Sequence, residues 1–236
     1  MRRLSLSLAL MVSACQSAAP PPDDLVPHSA FPSAARPTAD IVSPRWSTEV
    51  ERNKVHEADD VMTAAGVSAG MTVADIGAGE GYYTLHLAKR VGVKGRVLAE
   101  DIEQNYVDAL ATRVSRERLD NVSVKLGTPE NPSLPEHSFD RIFMIHMYHE
   151  IASPLEFLWR MRPSLAKDGQ VIVVDADRPT TAHGTPPALL TCEFAHLGYK
   201  LIDLKKMPSA GGYLARFGVA GDRPRPDEIK ACGAGG

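Results

Sequence analysis

The sequence predicts an α/β protein: a doubly wound, mostly parallel sheet with helices on both faces and an antiparallel strand near its C-terminal end. Three observations predict it. Apolar runs such as "QVIVVDAD" (170–177) alternate with stretches of helical period. Most of these runs are apolar at successive positions, as strands covered on both faces must be. A turn with glycines at 77, 79 and 81 joins the first run to a helical pattern.

The elements follow in order. "STEVERNKVHEADDVMTAAG" (47–66) reads as a helix capped by Ser47 and stopped by Gly66. "MTVADIG" (71–77) is a buried strand, and "YYTLHLAKRV" (82–91) a helix with Tyr83, Leu87 and Val91 on one face. "GRVLAED" (95–101) is a second strand and "QNYVDALATRVSRERL" (104–119) a second covering helix. "NVSVKLG" (121–127) and "FDRIFMIHM" (139–147) are the third and fourth strands. "SPLEFLWRMRPSLAKDG" (153–169) begins at a Ser-Pro start signal, and Pro163 is expected to kink it before Gly169 stops it. A fifth strand (170–177) is followed by a helix with Pro at its front (186–199). "KLIDLKKM" (200–207) and "YLARFGVA" (213–220) flank "PSAGG" as a hairpin.

The ends read differently. Arg2 and Arg3, the short apolar stretch Leu4–Val12 and the small residues before Cys15 form a secretory-signal pattern, too short to span a bilayer. "VSAC" (12–15) resembles a bacterial lipoprotein box. That resemblance implies export to the periplasmic face of a membrane, with a lipid on Cys15. A plain secretory signal, or an unused signal on a cytoplasmic enzyme, are the alternatives. Residues 16–44, rich in Pro, Ala and Ser, are expected to be an extended, solvated tether, residues 45–220 the folded domain and 221–236 a flexible tail.

The chain of 236 residues carries a net charge of −3, with no Lys/Arg run, which gives nucleic-acid binding no support. Of its three cysteines, Cys192 and Cys232 are a candidate disulfide. No Cys/His spacing suggests zinc, and His149–Glu150 is not part of an HExxH pattern, so no metal is expected.

The glycine loop narrows the ligand. In an open α/β sheet, ligands lie beyond the carboxyl ends of the strands, near the switch point. A dinucleotide fingerprint needs its third glycine where this chain has Tyr82, and a P-loop needs a Gly-Lys-Ser/Thr ending that is absent. Asp75, just before the loop, repels a diphosphate but suits a cation. "DIGAGEG" (75–81) resembles motif I of class I S-adenosyl-L-methionine-dependent methyltransferases, and the resemblance extends over nearly all of the folded middle. It implies a seven-stranded sheet whose last strand is antiparallel, S-adenosylmethionine as cofactor, and methyl transfer.

The resemblance also implies roles for residues. Asp75 meets the cofactor's ammonium, directly or through water, and the loop at Gly77, Gly79 and Gly81 meets its carboxylate. Asp101 accepts from the ribose hydroxyls while Ile102 packs on adenine; Glu100 is the alternative ribose ligand. Thr128, where many relatives have Asp, lies by the adenine, and His146 faces the cofactor. The helix from Trp46 to His56 closes over it. Glu57, Asp59 and Asp60 read as a solvated face. His149 and Tyr148, at the mouth of the acceptor pocket, are candidate catalytic groups; His183 is a base or a pocket wall. After the fourth strand "HMYH" (146–149) replaces the "Asn-Pro-Pro-Tyr" type of motif of amide methylation, which argues against DNA-adenine or glutamine acceptors; the compact size and the lack of a basic surface make a small-molecule acceptor the expectation. The runner-up is a catalytically silent, lipid-anchored protein that binds an adenosyl compound.

Overall fold

The computed structural model describes residues 23–41 and 47–233. The signal-like segment with Cys15, and Trp46, lie outside the described residues. Seven strands form one sheet: β1 (Thr72–Ile76), β2 (Arg96–Asp101), β3 (Val122–Leu126), β4 (Phe139–Ile145), β5 (Leu165–Asp175), β6 (Tyr199–Met207) and β7 (Gly212–Val219). Their order is β3-β2-β1-β4-β5-β7-β6. β1 to β5 pair in parallel, and β7 runs antiparallel to both β5 and β6, as the hairpin predicts. β1 has β2 on one side and β4 on the other, so the winding reverses there, and the carboxyl ends of β1 and β4 flank a crevice.

The period-two alternation of a strand divides the core. On β4 and β5, Ile142, Met144, Val171 and Val173 face one hydrophobic cluster, with α5 (Pro154–Met161) and α6 (Pro187–His196). Phe143, Ile172 and Val174 face the other, with α2 (Glu57–Ala64) and α3 (Tyr82–Val91). A smaller cluster seats α4 (Gln104–Arg116) through Leu110.

Two helices differ from expectation. The helix expected over 47–66 is broken into α1 (Glu49–Lys54) and α2, with His56 left-handed between them at φ 57°. Its cap is Thr48 rather than Ser47: the Thr48 side chain accepts from the Glu51 amide. The helix expected over 153–169 ends at Met161. Pro163 has no N–H for the Trp159 carbonyl, which receives Arg223 Nη1 instead at 3.4 Å. A single 3-10 turn (Arg162–Ser164) then leads into β5, which takes up residues 165–169.

Neither expected floppy segment is loose where it is described. In 23–41, Val26, Phe31 and Ala39 are buried. Phe31 meets Trp159 edge-on at 5.3 Å, and the Ala39 amide donates to His149 O at 3.1 Å. Prolines do keep this segment out of a long helix, but its apolar side chains and Arg36 strap it to the domain. In 221–233, Arg223 stacks on Trp159 and pairs with Asp23, Ile229 is buried, and Cys232 forms a disulfide with Cys192.

Arg36 anchors the strap. Its buried guanidinium donates from Nε to Glu193 Oε1 at 2.9 Å, and Glu193 also accepts from Tyr148 Oη at 2.7 Å. Truncating one member of a buried ion pair strands the other charge at about 3–5 kcal/mol. Arg36→Ala is therefore expected to lose about that much stability in chemical denaturation, whereas a freely solvated tether would leave the midpoint unmoved.

Candidate functional site

The crevice at the carboxyl edge has a volume of about 640 Å³. It is lined by the β1 end and glycine loop, the β2 end, Thr128 and Pro129 after β3, the β4 end, and the segment after β5. α1 and the residues before it, Ser47 and Thr48, close one side.

At its floor lies Asp75, 3% exposed. Thr84 donates a hydroxyl hydrogen bond to Asp75 Oδ2 at 2.6 Å. Burial raises the Asp75 pKa to about 6; the Thr84 bond and the Arg52 charge act against the rise. Gly77 and Gly79 line the crevice, both at positive φ. Gly81 does not line it. A side chain there would put its Cβ 2.3 Å from Leu110 Cδ1, so this glycine serves the packing of α3 against α4.

Asp101 ties the second strand to the loop. Its Oδ2 accepts from the Gly79 amide at 2.8 Å and its Oδ1 from the Glu103 amide at 2.9 Å. It lines the crevice with Ile102, Tyr106, Thr128 and Pro129. The Thr128 hydroxyl is engaged locally, donating to Asn131 O at 3.2 Å and accepting from its amide at 3.1 Å.

Glu100 also lines the crevice, but is only 1% exposed. Burial, reinforced by the Asp101 carboxylate, raises its pKa to about 8, against a hydrogen bond from the Gly77 amide. Because the folded value lies above the ordinary 4.5, its stabilising contribution is full below that pH and is lost as pH rises through about 8. Glu100→Gln is expected to remove this loss: wild-type stability declines toward pH 9, and the variant exceeds it there by up to about 4–5 kcal/mol. Denaturation midpoints across pH check it.

At the opposite end, β4 delivers His146, with φ 54°, followed by Met147 and a 3-10 turn (Tyr148–Glu150). His146 lines the crevice, and burial lowers its pKa. His149 lines it too. Its Nδ1 lies 3.1 Å from both oxygens of Asp175, the last residue of β5. Asp175 is fully buried and also accepts from Thr185 Oγ1 and the Ala176 amide, each at 2.8 Å. A carboxylate is an acceptor, so it fixes the His149 proton on Nδ1 and leaves Nε2 to receive another. His183 stands edge-on to His149, ring centroids 5.6 Å apart. Tyr148 is elsewhere. It is fully buried, absent from the crevice wall and bonded to Glu193, so its expected catalytic role is replaced by a structural one.

Sequence reasoning missed the role of Asp175 and the pairing of Arg52 with Glu57. Asp175 orients His149. Glu57, read as part of a solvated face, is 2% exposed; Asp59 and Asp60 are exposed as expected. Arg52 pairs with Glu57 through Nε and Nη2 at 2.9 and 2.7 Å and lies 3.8 Å from the Tyr82 ring centroid. Tyr83 Oη also donates to Glu57, at 2.9 Å. These residues set a fixed cation beside Asp75, where Arg52, Tyr82 and Tyr83 line the crevice.

Comparison with known proteins bears on the domain and its fold. Residues 73–169 match the family described as "Methyltransferase domain". A tRNA U34 carboxymethyltransferase of Cronobacter sakazakii is 33% identical over 120 residues, 48% of this chain and 35% of that enzyme. The chain thus spans about a third of the length of that curated relative. Among solved structures, a SAM-dependent methyltransferase from Aquifex aeolicus aligns with a TM-score of 0.63 at 22% identity, over 72% of this chain and 97% of that one. The [4+2]-cyclase SpnF aligns with a TM-score of 0.60 at 14% identity, over 82% and 90%.

Proposed function

We propose that this protein methylates a small molecule, a reading supported by the match of residues 73–169 to a methyltransferase domain and by a fold shared with an S-adenosylmethionine-dependent methyltransferase. The observation that carries the reading is the pair of acidic groups at the switch point, Asp75 and Asp101, around a glycine loop (77–81) that itself carries no Lys or Arg. Asp75 pairs with the ammonium of the cofactor. The loop amides and Arg52 meet its carboxylate. Asp101 accepts from the ribose, and Ile102, Thr128 and Pro129 border the adenine. The sulfonium methyl then lies toward His146, Met147 and His149.

The acceptor is activated at His149 Nε2. Its heteroatom forms a bond to the methyl carbon as the carbon–sulfur bond breaks. Sulfur keeps the electron pair and becomes a neutral thioether, and the acceptor gives its proton to His149 Nε2. Holding donor and acceptor in line is the larger part of the rate; moving the proton adds typically about 10²–10⁴-fold.

A net charge of −3 and the absence of a Lys/Arg run support a small acceptor over a polyanion. Methyl-labelled S-adenosylmethionine, incubated with the protein and either a metabolite extract or total RNA, tests it. Label in a small-molecule fraction is the expected result. Label in RNA alone would overturn the acceptor class, and cofactor binding without label transfer would favour the silent binding protein. We further propose export of the chain. The Cys192–Cys232 disulfide supports an oxidising location, and membrane fractionation with Cys15→Ser as the control tests the lipid anchor.

A further inference from the structure

We propose that His149, Glu150 and His183 form a binding site for a divalent transition ion of the Zn²⁺ type at the acceptor end of the crevice. The sequence hides it, because the residues come from two segments, the turn after β4 and the loop after β5. In the fold, one ligand-capable atom of each lies within 4.8 Å of the other two. His149 Nε2 is 3.9 Å from Glu150 Oε1. Donors about 2.0–2.1 Å from a tetrahedral ion stand about 3.3 Å apart, so a contraction of about 1.5 Å at most closes the set.

Two further observations point to an ion. His149 is held as a metal-bound histidine is held: its second nitrogen faces the buried Asp175, which Thr185 and the Ala176 amide fix in turn. His183 is kept left-handed at φ 57°, a conformation that is costly for a side-chain-bearing residue, and Arg178 Nε donates to its carbonyl at 3.1 Å. Its Nδ1 is buried with no hydrogen-bond partner among the described residues. Such a nitrogen is expensive in a fold unless something binds there.

Two imidazoles and one carboxylate are a donor set that suits zinc-like ions and leaves a coordination position open. In the metal-loaded protein that position takes the oxygen, nitrogen or sulfur of the acceptor, and the acceptor's proton passes to solvent before methyl transfer. This catalytic use rests on the methyl-transfer reading and, with the ion bound to His149 Nε2, replaces proton transfer to that nitrogen; the binding of the ion does not rest on it. The other cluster of this kind among the described residues, Cys192, His196 and Cys232, has both sulfurs committed to a disulfide.

The test uses the full chain, stripped with chelator and handled without reductant. It is titrated with Co²⁺ while the visible d–d band is recorded, and Zn²⁺ is then added as competitor. Saturable, stoichiometric binding that Zn²⁺ displaces is expected. Glu150→Gln and His183→Ala should each weaken it by at least the roughly 10–100-fold that loss of an outer-shell partner costs, and His196→Ala should bind as wild type. No saturable band, or one that Glu150→Gln and His183→Ala leave unchanged, would overturn the site. S-adenosylhomocysteine calorimetry on the same variants reports folding and the cofactor crevice separately. Cobalt binding without nucleoside binding would support the metal site and reject the methyl-transfer reading.

Discussion

Asp75→Asn is expected to lower S-adenosylmethionine affinity about 30-fold or more, because loss of one partner from a buried charge pair costs about 2–5 kcal/mol. The fold should survive. Asn keeps the size of the side chain and an acceptor for Thr84 Oγ1, now 2.6 Å from Asp75 Oδ2. Burial already raises the Asp75 pKa to about 6, so an uncharged side chain is well suited to this position. The same pKa sets a pH profile. The carboxyl must lose its proton to pair with an ammonium. Wild-type affinity is therefore full above about pH 6 and falls by about tenfold per pH unit below it, while the variant's profile is flat there. Calorimetry from pH 5 to 8 reads both effects. Unchanged affinity in the variant would remove Asp75 from the site.

His149→Ala is expected to lower turnover by about 10²–10⁴-fold, the usual worth of a group that moves a proton in the transition state. Cofactor affinity should change little, since the proposed cofactor contacts lie toward Asp75, Asp101 and Ile102. Asp175→Asn should lower turnover too, and less, because it keeps the imidazole but weakens the lock on Nδ1, now 3.1 Å from the carboxylate. Single-turnover rates at saturating cofactor, beside cofactor affinity, check this. A variant that loses affinity in proportion to rate would place His149 in cofactor binding instead.

The sheet was legible because its strands obey local rules. Apolar runs at 142–145 and 171–174 can satisfy themselves only between two helical layers, and "PSAGG" turns the last two strands back on each other. The cofactor side of the crevice was legible for a related reason. Asp75, the glycine loop and Asp101 lie at strand ends, where β–α connections fix position. Groups that meet through tertiary folding were not. Arg52 and Glu57 are five apart, off the ladder of a continuous helix, and face each other only because the chain breaks at His56. Asp175 reads as a strand end at the functional edge, and its partner becomes visible only when β4 and β5 pair and set it beside His149. The strap around Arg36 was misread because proline content reports backbone stiffness and says nothing of what Phe31 and Arg36 touch.

The central claim is that a sulfonium nucleoside occupies the crevice between the β1 and β2 ends. Isothermal titration of the full chain with S-adenosylmethionine, S-adenosylhomocysteine and NADH tests it most directly. The account predicts saturable heat with the first two and none with NADH. Saturable heat with NADH alone would contradict it.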